Sequence, residues 1–238
     1  MATLEIWLLM QFAMLAGGVG AVLSPQNGAQ IEDIRSKMKA AYAKVEDYQT
    51  ETEVKVYNED QRPETERFRY TFKKPNHIRI DMESPYPGMI LVYPDKEGKV
   101  TVRPGGLARF LKLHLAPGST LFRISAGQRI DQTDLGLLIQ NIAHSLTDQR
   151  RGEIKLSRGD GLILIEVLAE DHFLKGVLTL YHFSIDETSW LPVKVGEYTP
   201  DGVLKREVVF HNLRTSIGIP DSFFSVSGEN EGDGQSGE

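Results

Sequence analysis

Between Tyr48 and Leu213 the sequence returns repeatedly to a period of two. In YQTETEVKVYN, Tyr48, Thr50, Thr52, Val54 and Val56 fall on one side. After the polar stretch NEDQRPET, Phe68, Tyr70 and Phe72 alternate with Arg67, Arg69 and Thr71. Consecutive side chains of a β-strand point to opposite faces, so the pattern predicts strands with one buried and one wetted side. The first two read as a hairpin with a longer loop. The rhythm continues through HIRIDM, GMILVYP, KVTVRP and ARFLKLHL, and later through EIKLSR, GLILIEVL, KGVLTLYHFSID, WLPVKVGEYTP and VLKREVVFHNL. PYPG, DKEG, Gly159-Asp160-Gly161 and Pro200-Asp201-Gly202 separate these runs with residues that favour turns.

Two segments follow helical spacing instead. Residues 31–46, IEDIRSKMKAAYAKVE, place Ile31, Ile34, Met38, Tyr42 and Val45 on one stripe. In TDLGLLIQNIAHSL, Leu135, Leu138, Ile139, Ile142 and Leu146 share a face, with Thr133 or Asp134 in the N-cap position. About ten strands make an antiparallel sheet too wide to stay flat, and a twisted sheet of that size curls. The expected fold is mostly β (α+β): a strongly curved antiparallel half-barrel with two or so helices closing its concave side. Two short helices cover less apolar wall than such a sheet offers, which leaves room for a ligand.

The ends differ from the middle. Ile6 to Leu23 carries no charge, and residues 1–24 read as a signal peptide or an N-terminal anchor. The leading MATLE contains Glu5 and no basic residue, which is atypical of an export signal. Small residues at Gly20, Ala21 and Ser24 are consistent with cleavage between Val22 and Asn27. Residues 30–226 form the expected folded domain, and 227–238 an acidic tail without the apolar side chains needed to order it. The predicted location is periplasmic or otherwise exported, or anchored by the N-terminal segment.

The chain of 238 residues has no cysteine, which excludes disulfides, a cysteine nucleophile and a lipid-modified cysteine. A formal net charge of −6 argues against nucleic acid, whose binding needs clustered Lys and Arg. His77, His114, His144, His172, His182 and His211 show neither HExxH nor paired i, i+4 spacing, so no metal site is expected. There is no Gly-x-Ser-x-Gly elbow, P-loop or Gly-x-Gly-x-x-Gly run. The carboxylate pairs Asp131 with Asp134 and Asp186 with Glu187 are weak candidates for acid–base work on a sugar, since capping explains Asp134 better. The chain reads as no enzyme, and it requires no cofactor.

Lys74-Pro75-Asn76-His77-Ile78-Arg79-Ile80, preceded by an aromatic strand and followed by a Pro-Gly turn and Val92-Tyr93, resembles a segment of the LolA-like lipoprotein carriers. The helix before the first strand and the closing Ile219-Pro220-Asp221-Ser222-Phe223-Phe224 also fit that layout. A closer likeness, over residues 48–145, is to the DUF1571 branch. It rests on Pro85-Tyr86-Pro87-Gly88, Arg103-Pro104-Gly105-Gly106, Leu115-Ala116-Pro117-Gly118 and the run from Arg129 to Gly136. The chain departs from the plain carrier in its insertion at residues 104–132 and in its atypical export signal.

The resemblance implies a periplasmic half-barrel that binds acyl chains of lipid or lipoprotein, with an envelope membrane protein as a further candidate partner. Phe68, Tyr70, Phe72, Ile78, Ile80 and Met82 would line the ligand cavity. Leu135, Leu138, Ile139 and Ile142 would contact it from the lid. In carriers a strand arginine holds the closed lid, which implies that role for Arg79; alternation alone puts Arg79 on the opposite face. Two other readings stay open: an envelope-stress sensor or scaffold on the same half-barrel, and a carbohydrate-acting hydrolase.

Overall fold

The alternating segments pair into an eleven-stranded sheet in which all neighbours run antiparallel. The computed structural model describes residues 25–57, 62–119, 129–148 and 152–226. Helix α1 (Pro25–Ala43) precedes β1 (Asp47–Tyr57), and a meander follows through β2 (Pro63–Lys73), β3 (His77–Ser84), β4 (Ile90–Tyr93), β5 (Val100–Arg103) and β6 (Leu113–Leu115). Helix α2 (Leu135–Thr147) then leads to β7 (Ile154–Gly159), β8 (Leu162–Glu170), β9 (Leu178–Asp186), β10 (Pro192–Tyr198) and β11 (Leu204–Thr215).

The strand order is β6-β5-β4-β3-β2-β1-β11-β10-β9-β8-β7. The first meander therefore runs outward from the centre to one edge. The chain then crosses by way of α2 to the far edge and meanders back, until β11 pairs with β1. The expected half-barrel with helices on its concave side is the fold observed.

Register explains the aromatic face. Tyr48 pairs with Phe72, Thr50 with Tyr70 and Thr52 with Phe68. Across the next ladder Phe72, Tyr70 and Phe68 oppose Ile78, Ile80 and Met82. Each row sets an aromatic beside an aliphatic side chain on the concave face, a favourable cross-strand arrangement. The main core forms there, joined by Ile31, Ile34 and Met38 of α1 and by Leu135, Ile139, Ile142 and Leu146 of α2. A smaller cluster of Ile90, Val92, Ile219 and Phe224 lies on the convex side, where the segment after β11 folds back over β4.

Three expectations change. Helix α1 begins at Pro25 and ends at Ala43, leaving Val45 as a buried residue of the connection rather than the last turn. The alternating ARFLKLHL is strand only at Leu113–Leu115; before it lies a 3-10 turn at Gly106–Ala108. Arg79, expected at the lid, sits on the convex side because Ile78 and Ile80 occupy the concave one. There it forms a two-pronged ion pair with Asp81 (2.9 and 2.8 Å) and donates to the Phe223 carbonyl at 2.9 Å. Its guanidinium also lies 4.6 Å from the Phe223 ring centre. Arg79 thus pins the closing segment. The expected N-terminal signal or anchor and the acidic tail lie outside the described residues.

At the start of β1, buried Asp47 accepts backbone N–H bonds from Ile217 (2.7 Å), Gly218 (3.1 Å) and Ile219 (3.0 Å). Hydrogen bonds to a charged acceptor are stronger than neutral ones, and removing it strands three donors. Asp47→Ala should lower unfolding free energy by about 2–4 kcal/mol by urea denaturation, and release the closing segment to protease before the sheet.

Candidate functional site

The residues that build the concave site come from the middle of the sheet. Val54 pairs with Val208 and Val208 with Val195, so β1, β11 and β10 lay three valines side by side. Thr52 faces Phe210 on one neighbour and Phe68 on the other. These side chains, with the rings of Tyr48 and Tyr70, form the floor of a cavity of about 80 Å³ roofed by Leu138 and Asn141 of α2. His172 and Phe173 close one side from the β8–β9 loop, and Gln132, Thr133 and Asp134 close the other.

The roof is attached by its N-terminus. Asp134 caps α2, accepting from the N–H groups of Gly136 (2.7 Å) and Leu137 (3.1 Å). The Leu135 N–H donates to the Tyr48 hydroxyl at 2.9 Å, deep in the core. Tyr42 of α1 donates to Asp134 at 3.2 Å. Tyr70 meets the Thr133 hydroxyl at 3.0 Å, and Thr133 in turn donates to the Ile130 carbonyl at 2.7 Å. Burial pushes the Tyr48 and Tyr70 phenols well above the usual tyrosine range, so they stay neutral. Gly136 permits this arrangement: a Cβ there would lie 2.5 Å from the Tyr42 ring.

A second attachment holds the middle of α2. His172 Nε2 accepts from the Ser145 hydroxyl at 2.7 Å, and the imidazole also hydrogen-bonds the Asn141 backbone. Its ring stacks on Tyr181 with centroids 4.2 Å apart, and the backbone N–H of His172 donates to the Tyr181 hydroxyl at 2.9 Å. The Ser–His distance is that of a nucleophile and its base. Ser145 is nevertheless fully buried under the roof, where its hydroxyl serves to dock the helix.

The cavity is not uniformly apolar. Glu197 and Arg206 face it as a buried ion pair 3.2 Å apart on paired positions of β10 and β11. Burial pushes the Glu197 carboxyl up, against the pull of Arg206. The Thr52 hydroxyl is buried at the floor with no protein hydrogen-bond partner.

Of the residues expected to line a ligand site, Phe68 and Tyr70 reach the cavity, whereas Phe72, Ile78, Ile80 and Met82 are buried in the surrounding core. Of the lid residues, Leu138 roofs the cavity, and Leu135, Ile139 and Ile142 pack beside it. Alternation and helical spacing had no means of revealing the contributions of His172, Glu197, Arg206 and Val208, which come from strands far away in sequence. The histidines also looked isolated in sequence, yet donor atoms of His144, Asp148 and Glu170 come within 4.8 Å of one another where α2 ends beside β8. Half-exposed carboxylates converge in this way without a metal, and the cluster is set apart from the cavity lining. Among the described residues, no helix is long and apolar enough to cross a membrane.

No protein-family model matches the sequence, and no curated protein matches it either. Solved structures share the general layout. A LolA superfamily protein from Nitrosomonas europaea is 11% identical, with 82% of this chain covered and 97% of that one, at a TM-score of 0.40. A DUF1329 family protein from Desulfovibrio piger is 13% identical over 84% of this chain and 97% of its own, at 0.44. The MucA/MucB complex of Pseudomonas aeruginosa contains a chain 12% identical, with 83% of this chain and 61% of that chain covered, at 0.37. At these scores and identities, the functional reading rests on the site's own geometry.

Two measurements check the attachment of the roof. Tyr48→Phe keeps the ring but strands the Leu135 N–H, and should cost about 1–3 kcal/mol by urea denaturation. His172 titrates near pH 4 when folded because burial disfavours its cation, compared with an ordinary value of 6.5. A depressed histidine favours the folded state above the unfolded value, so its contribution is complete above pH 6.5 and is lost as pH falls toward about 4. The midpoint for urea unfolding should therefore fall across that window by more in the wild type than in His172→Gln.

Proposed function

We propose that the protein binds the acyl chain of a lipid or lipoprotein beneath α2, as a non-enzymatic carrier acting outside the cytoplasm. The observation that carries this reading is the largely apolar cavity in the centre of the sheet, roofed by a helix that is pinned at its N-terminus and middle. At about 80 Å³ it falls well short of the ~300 Å³ of a small-ligand pocket. An acyl chain enters only if α2 shifts.

The energies balance in a way that suits a carrier. Burying about 16 methylene-type carbons gains on the order of 12 kcal/mol at ~0.8 kcal/mol each. Lifting Leu135, Leu138, Ile139 and Ile142 off the sheet returns roughly 6–12 kcal/mol at ~1.5–3 kcal/mol per side chain. Loading and unloading then differ by little, so a membrane or a partner protein can tip the transfer. The Glu197–Arg206 pair and Thr52 supply polar contacts for the chain's ester or carboxyl end. Export is supported by the uncharged run at residues 6–23, and the carrier type by the sequence resemblance set out above.

Native mass spectrometry of protein isolated from a membrane-containing lysate should show co-purified lipid or lipoprotein. The sharper test places one carboxylate at each of two positions. Leu138→Asp, at the half-buried roof, should stay folded by circular dichroism and lose uptake of a fluorescent fatty acid at least tenfold. Phe72→Glu, packed against Tyr48 at a ring distance of 5.1 Å, should unfold the protein instead. Unchanged uptake by Leu138→Asp would show that the roof does not cover a ligand, and the carrier reading would fall.

A further inference from the structure

The two most exposed large apolar side chains of the described structure, Leu107 and Phe110, are not near the cavity, although a second exposed apolar run that includes Phe173 and Leu174 borders it. Leu107 is 96% exposed and Phe110 78%, both between β5 and the edge strand β6, followed by Leu111 at 46% and Leu113 at 40%. Tyr86, 61% exposed, lies on the neighbouring β3–β4 turn. The two elements are pressed together, since a Cβ on Gly105 would meet the Pro87 carbonyl at 2.2 Å. A soluble surface scatters such side chains singly; a contiguous group marks a contact site.

Charge indicates what makes the contact. Residues 98–130 contain six Lys or Arg and no Asp or Glu, whereas the remainder carries 21 Lys or Arg against 33 Asp or Glu; Lys99 and Arg129 are ion-paired with Glu97 and Asp131 just outside the segment, whereas Arg109 and Lys112 lie at its centre. A basic, apolar segment is thus built into an otherwise strongly acidic chain. Arg109 and Lys112 stand directly among Leu107, Phe110 and Leu111. Apolar side chains flanked by cations fit a surface that offers negative headgroups with hydrocarbon just beneath them. A second copy of the same chain would present the same positive charge and is the poorer match.

We propose that residues 106–113 form a foot that docks on a bilayer containing anionic lipid. Leu107 and Phe110 enter the acyl boundary, and Arg109 and Lys112 meet the headgroups. The foot is independent of whatever the cavity holds, so the two readings stand or fall separately.

Because the chain contains no cysteine, a single Phe110→Cys substitution in the full-length protein can carry an environment-sensitive nitrobenzoxadiazole label. Far-UV circular dichroism first confirms that the labelled protein is folded. With vesicles of two parts phosphatidylcholine to one part phosphatidylglycerol, the label should move to shorter wavelength and brighten several-fold. The same label at Asp201→Cys, on the β10–β11 turn, should stay aqueous even if the N-terminal run tethers the protein. Adding Arg109→Glu and Lys112→Glu should raise the lipid needed for half the signal at least tenfold, as should high salt. The proposal is overturned if the label at position 110 stays aqueous, responds equally to phosphatidylcholine alone, or shifts without vesicles as protein concentration rises.

Discussion

A helix laid over an apolar sheet brings N–H groups at its first turn that have no partner within the helix. Here the sheet and its flanks supply them. Tyr48 reaches the Leu135 N–H, Asp134 takes the next two, and Tyr42 and Tyr70 steady the residues that bring Asp134 and Thr133 into place. Tyrosine suits this task because its ring packs as wall while its hydroxyl reaches the roof. A phenylalanine at position 48 would fill nearly the same space and leave the Leu135 N–H without its partner. The cavity, its roof and the register of α2 against the sheet follow from that contact.

Topology decides where the cavity lies. The β1–β6 and β7–β11 meanders each grow by local hairpins, and they join side by side only at the β1–β11 ladder. The cavity floor is drawn from β2, β1, β11 and β10, directly over that joint. The same crossing that carries the chain from one sheet edge to the other also furnishes the roof. A shift of α2 is thereby felt by both halves at once.

Much of the scaffold was legible because it depends on short-range patterning. Alternation at Phe68, Tyr70 and Phe72 and helical spacing from Leu135 to Leu146 identify the buried faces, and Asp134 is the cap that its position suggested. The cavity is another matter, since its walls are chosen by strand order. Val54, Val208 and Val195 become neighbours only once β11 returns to β1, and no local pattern distinguishes Phe68, at the cavity, from Phe72, four residues later and closed in by Tyr48. Arg79 illustrates the reverse: alternation assigned its face correctly, while the role implied by the resemblance required the other one. ARFLKLHL alternates convincingly yet is mostly not strand, because it lies at a sheet edge with only β5 to pair against.

The closing segment over β4 has a practical consequence. Helix α1 packs into the concave core, whereas the residues after β11 are drawn by Asp47 and Arg79 onto the convex side. The two ends of the described fold therefore leave from opposite faces of the sheet. A fusion or surface attachment made beyond Val226 starts from the convex side, away from the roof helix, while one made ahead of Pro25 starts from the side that the roof helix covers. For handling and immobilisation, the molecule has a front and a back.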